Sequence, residues 1–111
     1  MLADVEDLKR LPAHTEYADN IHWVYGVVLR DSVPFDAEEA MRRMAAQGIG
    51  TRPFFWPMHE QPVLRKMGLF NGEFCPVAER IARRGFYIPS GVALEHEQAI
   101  EVCQALQRTL A

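Results

Sequence analysis

A chain of 111 residues with 12 Lys+Arg against 15 Asp+Glu and a pI near 5.8 carries no basic field that would attract nucleic acid, so nucleic-acid binding is excluded as a first reading. With 49% hydrophobic and 10% aromatic residues it can fold around one modest core, which argues against disorder, yet it is too short for the two-domain architecture of most cofactor-dependent transferases. Its longest apolar run, Val24 to Leu29, falls far short of the roughly 20 residues that cross a bilayer, the polar, acidic stretch after Met1 is not a signal peptide, and Cys75 and Cys103 lack CxxC spacing; the expectation is a soluble single domain (residues 1–111) in the cytoplasm, with reduced thiols.

Leu2, Val5, Leu8 and Leu11 recur at helical spacing and end at Pro12, which predicts a short opening helix without an N-terminal cap. From Ile21 to Leu29 β-branched and aromatic residues dominate, predicting a central strand closed by Arg30-Asp31. Asp36-Ala-Glu-Glu39 reads as a capping box, with Phe35 and Ala40 as its hydrophobic staple. Ala37, Ala40, Met41, Met44 and Ala45 trace the buried face of that helix, and Gly48 stops it. Ile49 to Phe55 reads as a second strand running into an aromatic loop.

Pro62 at a first helical position starts a short helix through Met67, Gly68 ends it, and Leu69-Phe70-Asn71-Gly72 is a turn. Pro76 opens another helix, on which Val77, Ala78, Ile81 and Ala82 are expected to bury and Arg83-Arg84 to complement the helix C-terminus. Phe86 to Ile88 is a short strand. After the Pro89-Ser90-Gly91 turn, Glu95 and Glu97 load the first turn of a final helix whose apolar face is Ala99, Cys103, Leu106 and Leu110. The sum is an α+β, two-layer domain: a small three-stranded sheet, mostly antiparallel or else mixed, covered by helices.

The densest chemistry lies in the run GIGTRPFFWPMH, residues 48–59. Pro53 and Pro57 fix their own φ and bias Arg52 and Trp56 toward extended backbone, so the segment presents its side chains from a strand or loop. Arg52 can fork onto a carboxylate or phosphate, or sit in a surface salt bridge. Phe54, Phe55 and Trp56 cannot all face one side of a strand, so at least one leaves the core face for a loop, a partner or a ligand. His59 can donate to phosphate or sugar, or bond Glu60 or the backbone.

The remaining histidines, His14, His22 and His96, show no i, i+4 or HxH spacing, and no metal site is expected. Ser32 and Ser90 lack a GxSxG context and neither cysteine has a histidine and acid nearby in sequence, so no self-contained catalytic set is visible. Gly48-Ile49-Gly50 follows a helix, the wrong context for a dinucleotide or P-loop cradle.

Together the 21–29 strand, Val33-Pro34-Phe35-Asp36-Ala37-Glu38-Glu39, the 48–62 run GIGTRPFFWPMHEQP, Pro76-Val77-Ala78-Glu79-Arg80 and Phe86-Tyr87-Ile88-Pro89-Ser90-Gly91 make a specific match over nearly the whole chain. They resemble the small C-terminal domain of the DegT/StrS-type sugar-nucleotide aminotransferases, fold-type I enzymes that use pyridoxal 5'-phosphate (PLP), and most of all their perosamine synthase-like members. The resemblance implies a homodimeric enzyme that converts a nucleotide-linked 4-keto-6-deoxy sugar to the amino sugar with glutamate as donor. Arg52, Phe54, Phe55, Trp56 and His59 would then lie in the loop that approaches the nucleotide sugar.

Such enzymes carry PLP on a lysine of a large N-terminal domain, which this sequence does not contain. Lys9 and Lys66, its lysines, stand in unrelated contexts. No cofactor and no catalytic residue is therefore expected for this chain alone, and the large domain becomes an expected partner. Two other readings stand beside a separated domain: a binding or regulatory module for a nucleotide sugar or small anion, and a fragment whose apolar faces drive oligomerisation.

Overall fold

The computed structural model describes residues 2 and 5–111. Four strands form the main sheet in the order β1 (Leu8–Arg10), β4 (Tyr25–Leu29), β6 (Gly85–Ile88), β5 (Arg52–Pro53), with every pairing antiparallel. A separate ribbon pairs β2 (His14–Thr15) with β3 (Ala18–Asp19). The helices are α1 (Ala37–Ala45), α2 (Pro62–Lys66), α3 (Pro76–Arg84) and α4 (His96–Leu110), and none is long and apolar enough to cross a membrane. The expected α+β class holds, with four strands where the pattern predicts three.

The extra strand is β1, where the leucine spacing predicts a helix. Its register, Leu8↔Leu29 to Arg10↔Val27, puts Leu8 in the core at 4% exposure and leaves Lys9 and Arg10 outside. Backbone pairing with the central β4 satisfies donors and acceptors that an uncapped helix ending at Pro12 would leave open. Residues 3 and 4 of the expected helix lie outside the described residues.

The predicted 21–29 strand begins only at Tyr25. The Asn20 side chain accepts the His22 N–H at 2.8 Å and His22 turns to φ 50, an Asx-type turn that breaks the extended run and leaves Ile21 and Trp23 exposed. β5 is likewise two residues long, because Pro53 offers no N–H to carry the ladder further.

α1 forms where its sequence predicts, with the Asp36 side chain accepting the Glu39 N–H at 2.9 Å, but the expected capping box is only half made, because the Glu39 carboxylate accepts from Arg42 and Arg43 instead; Ala37, Ala40 and Met44 are buried, Met41 is half-buried, and Ala45, expected on the buried face, is exposed. Its end is a Schellman closure, with Gly48 at φ 79, the Gly48 N–H on the Ala45 carbonyl and the Ile49 N–H on the Met44 carbonyl. α3 departs from expectation. Only Ala82 is buried on it, while Val77, Ala78 and Ile81 face solvent, since α1 and α4, not α3, cover the apolar side of the sheet. On α4 the buried residues are Val102, Ala105, Leu106 and Thr109, with Ala99, Cys103 and Leu110 half-buried at the margin.

Leu8, Val27, Leu29, Phe86 and Ile88 of the sheet pack against Ala40 and Met44 of α1 and Val102, Ala105 and Leu106 of α4. Strand alternation places Gly26, Val28, Gly85 and Tyr87 on the other face. Arg84, read from sequence as a complement to the helix dipole, instead folds back over the connection from β4 to α1. Its guanidinium donates to the carbonyls of Arg30, Val33 and Phe35.

Candidate functional site

Pairing of Arg52 with Tyr87 and of Pro53 with Phe86 fixes where the aromatic loop leaves the sheet. Phe54 turns inward, its ring 4.5 Å from that of Tyr87, over a slot that exists because positions 26 and 85 lack side chains. A Cβ on Gly26 would come within 2.9 Å of the Phe54 ring, and one on Gly85 within 2.5 Å. With Phe54 pinned, alternation sends Phe55 outward, at 81% exposure. Arg52 is exposed, with no side-chain partner among the described residues, and Trp56 is a little under half exposed. Between residues 52 and 56 the loop thus carries an exposed cation, an exposed aromatic ring and a partly covered indole.

His59 is different. It is only 6% exposed, and Nε2 lies 2.9 Å from Oε1 of Glu79 on α3. The same oxygen accepts the Cys75 N–H at 2.9 Å, and Arg65 Nε donates to the His59 carbonyl at 3.0 Å. Glu60 accepts two bonds from Arg83, at 2.9 and 3.0 Å, and that guanidinium lies over the Trp56 ring, 4.8 Å from its centroid. The Cys75 N–H first, and His59 second, hold the Glu79 carboxyl below its usual value of 4.5.

The expected donation from His59 to a ligand is therefore not what this arrangement offers: the ring points into the protein, toward Glu79. Spacing rules missed this partner because it is twenty residues away and on another element. Ligating atoms of His59, Glu60 and Glu79 come within 4.8 Å of one another, a donor set suited to a divalent ion, but each is already bonded to a protein group.

Open clefts lie elsewhere, two of them flanking β1 and the 21–25 segment. One, of about 790 Å³, is lined chiefly by apolar groups including Ile21, Trp23, Pro89, Val92 and Cys103, and burial pushes the Cys103 thiol up. The other, of about 890 Å³, is polar and includes Glu6, Lys9, Arg10 and Arg30. Between residues 58 and 77, Met58, Val63, Met67, Phe74 and Val77 are each more than half exposed, apolar side chains of the kind found at contacts with another domain or chain.

Residues 1–107 match the model of the DegT/DnrJ/EryC1/StrS aminotransferase family, and the chain belongs to that family. It is 30% identical over 93 residues to GDP-perosamine synthase of Escherichia coli O157:H7, a match covering 84% of this chain and 24% of that protein. Among solved structures it resembles Helicobacter pylori PseC, an aminotransferase involved in the biosynthesis of pseudoaminic acid, with TM-score 0.83 and 15% identity over 98% of this chain and 29% of PseC. It also resembles the aminotransferase TlmJ from Streptoalloteichus hindustanus, with TM-score 0.78 and 23% identity over 98% of this chain and 28% of TlmJ. The chain thus spans about a quarter of the length of the relatives it matches. The structural likenesses establish the fold of the chain, and the family match its family.

Proposed function

We propose that this chain acts as the small C-terminal domain of a PLP-dependent sugar-nucleotide aminotransferase, presenting the 52–59 loop to the nucleotide sugar and lacking catalytic competence alone. The carrying observation is the family match over residues 1–107 together with an exposed Arg52, Phe55 and Trp56 on one loop of that matched region. Arg52 suits the diphosphate, and Phe55 and Trp56 suit the flat faces of a base or sugar. By analogy with GDP-perosamine synthase, the substrate is a nucleotide-linked 4-keto-6-deoxy sugar that receives its amino group from glutamate. The apolar surface of Met58, Val63, Met67, Phe74 and Val77 packs against the large PLP-binding domain, and the active assembly is a homodimer in the cytoplasm.

The residues of this chain do not fit PLP. Lys9 and Lys66 are both exposed, and the buried polar residues among those described are His59 and Thr109, so no lysine is enclosed with an acid for the ring nitrogen and a cradle for the phosphate. A stand-alone binding module is the second reading. It is favoured by the bracing of the loop, whose contacts to Glu79, Arg83 and Tyr87 are all supplied by this chain.

Incubation of the chain with PLP, glutamate and a nucleotide keto sugar is expected to give neither a stoichiometric PLP adduct nor amino sugar. A specific one-to-one adduct or turnover would sink the claim that catalysis belongs to the large domain.

A further inference from the structure

We propose that α3 positions the loop: Glu79 and Arg83 hold residues 52–59 in the form that presents Arg52 and Phe55, and His59 is a buried peg for that purpose, not a ligand contact. Its functional consequence rests on the nucleotide-sugar reading above; its structural content does not. The loop has few bonds of its own, chiefly the Gln61 side chain on the Trp56 carbonyl at 3.0 Å and the turn from Pro57 to Glu60. At its start it is pinned by Phe54 over Gly26 and Gly85. At its far end the side-chain contacts of His59, Glu60 and Trp56 all run to α3.

Glu79 and Arg83, four residues apart, share one helical face. Glu79 is fixed from both sides, by the Cys75 N–H at the start of α3, where the helix dipole favours a carboxylate, and by the ring of His59. A buried imidazole without that acceptor would bear an uncompensated desolvation cost, so the loop end stays down only while Glu79 receives it. Arg83 is pre-set by a bond of 3.1 Å from Nη1 to the Glu79 carbonyl, which aims its other arm at Glu60 and its flat face at Trp56. Glu79 therefore controls a loop whose exposed residues it never touches.

The test uses Trp23→Phe as background, which leaves Trp56 as the sole tryptophan of the full chain. Glu79→Ala, which removes no contact made by Trp56 itself, is expected to raise acrylamide quenching of Trp56 roughly two-fold and to red-shift its emission, as the indole loses its guanidinium cover. Arg83→Ala should do the same and Arg83→Lys only in part, because a lysine keeps charge but neither fork nor plane. Calorimetric titration with GDP should show affinity down about ten-fold in Glu79→Ala, from lost preorganisation. If Glu79→Ala fails to melt cooperatively, Glu79→Leu, which fills similar volume but offers His59 no acceptor, carries both readouts.

Unchanged Trp56 quenching in folded Glu79 variants overturns the proposal. So does GDP affinity that falls in Arg52→Ala but not in Glu79→Ala. If Arg52→Ala and Phe55→Ala leave GDP binding untouched, the nucleotide reading has failed while the Trp56 measurement still decides the positioning role.

Discussion

Gly26 and Gly85 leave the slot that Phe54 fills, and the run of three aromatics divides into one ring facing in, one facing out and one half-covered. Gly85 is the tighter of the two, because an added Cβ would lie 2.5 Å from the Phe54 ring and 2.7 Å from the Ile81 carbonyl. Gly85→Ala is therefore expected to destabilise the chain by about 2 kcal/mol in chemical denaturation, as overpacking against backbone does. The cost of Gly85→Ala should be smaller when it is measured in a Phe54→Ala background. Full additivity of the two changes would mean that ring and glycine are not in contact.

At the scale of elements, local signals were legible and distant ones were not. The Asp36 cap, the Gly48 closure, Pro62 and Pro76 at helix starts and the 85–88 strand are all announced by residues a few positions apart. β1 was not legible, because its leucines fit a helical period equally well and only the unpaired edge of β4 decides between the two. The exposed side of α3 was not legible either, since an apolar residue reads as core whether it faces its own domain or another. In the loop, Arg52 and Phe55 are exposed, while the partner of His59 lies on α3, twenty residues away.

That link between elements has a pH signature. Glu79, through the Cys75 N–H and His59, and Glu39, through Arg43 and then Arg42, are both held below 4.5, so each binds its proton more weakly in the folded chain than in the unfolded one. Their contribution is complete above that value and is lost as pH falls beneath it. The melting temperature should drop as pH is lowered below about 4.5, and Glu79→Gln with Glu39→Gln should flatten the slope. A slope unchanged by both substitutions would contradict the assignment.

For the whole molecule, a small antiparallel sheet and two covering helices make the core that carries the loop, and Met58, Val63, Met67, Phe74 and Val77 stay exposed outside it. That combination suits a domain that binds one face of a substrate and leans on a larger neighbour for chemistry. The most direct test is an NMR titration of the isotope-labelled chain with a nucleoside-diphosphate-linked 6-deoxy sugar, following backbone amides and the Trp56 indole. The account predicts shifts concentrated at Arg52, Phe55, Trp56 and Met58 and abolished by Arg52→Ala. Shifts confined to the apolar cleft beside α4, or none at millimolar ligand, would contradict it.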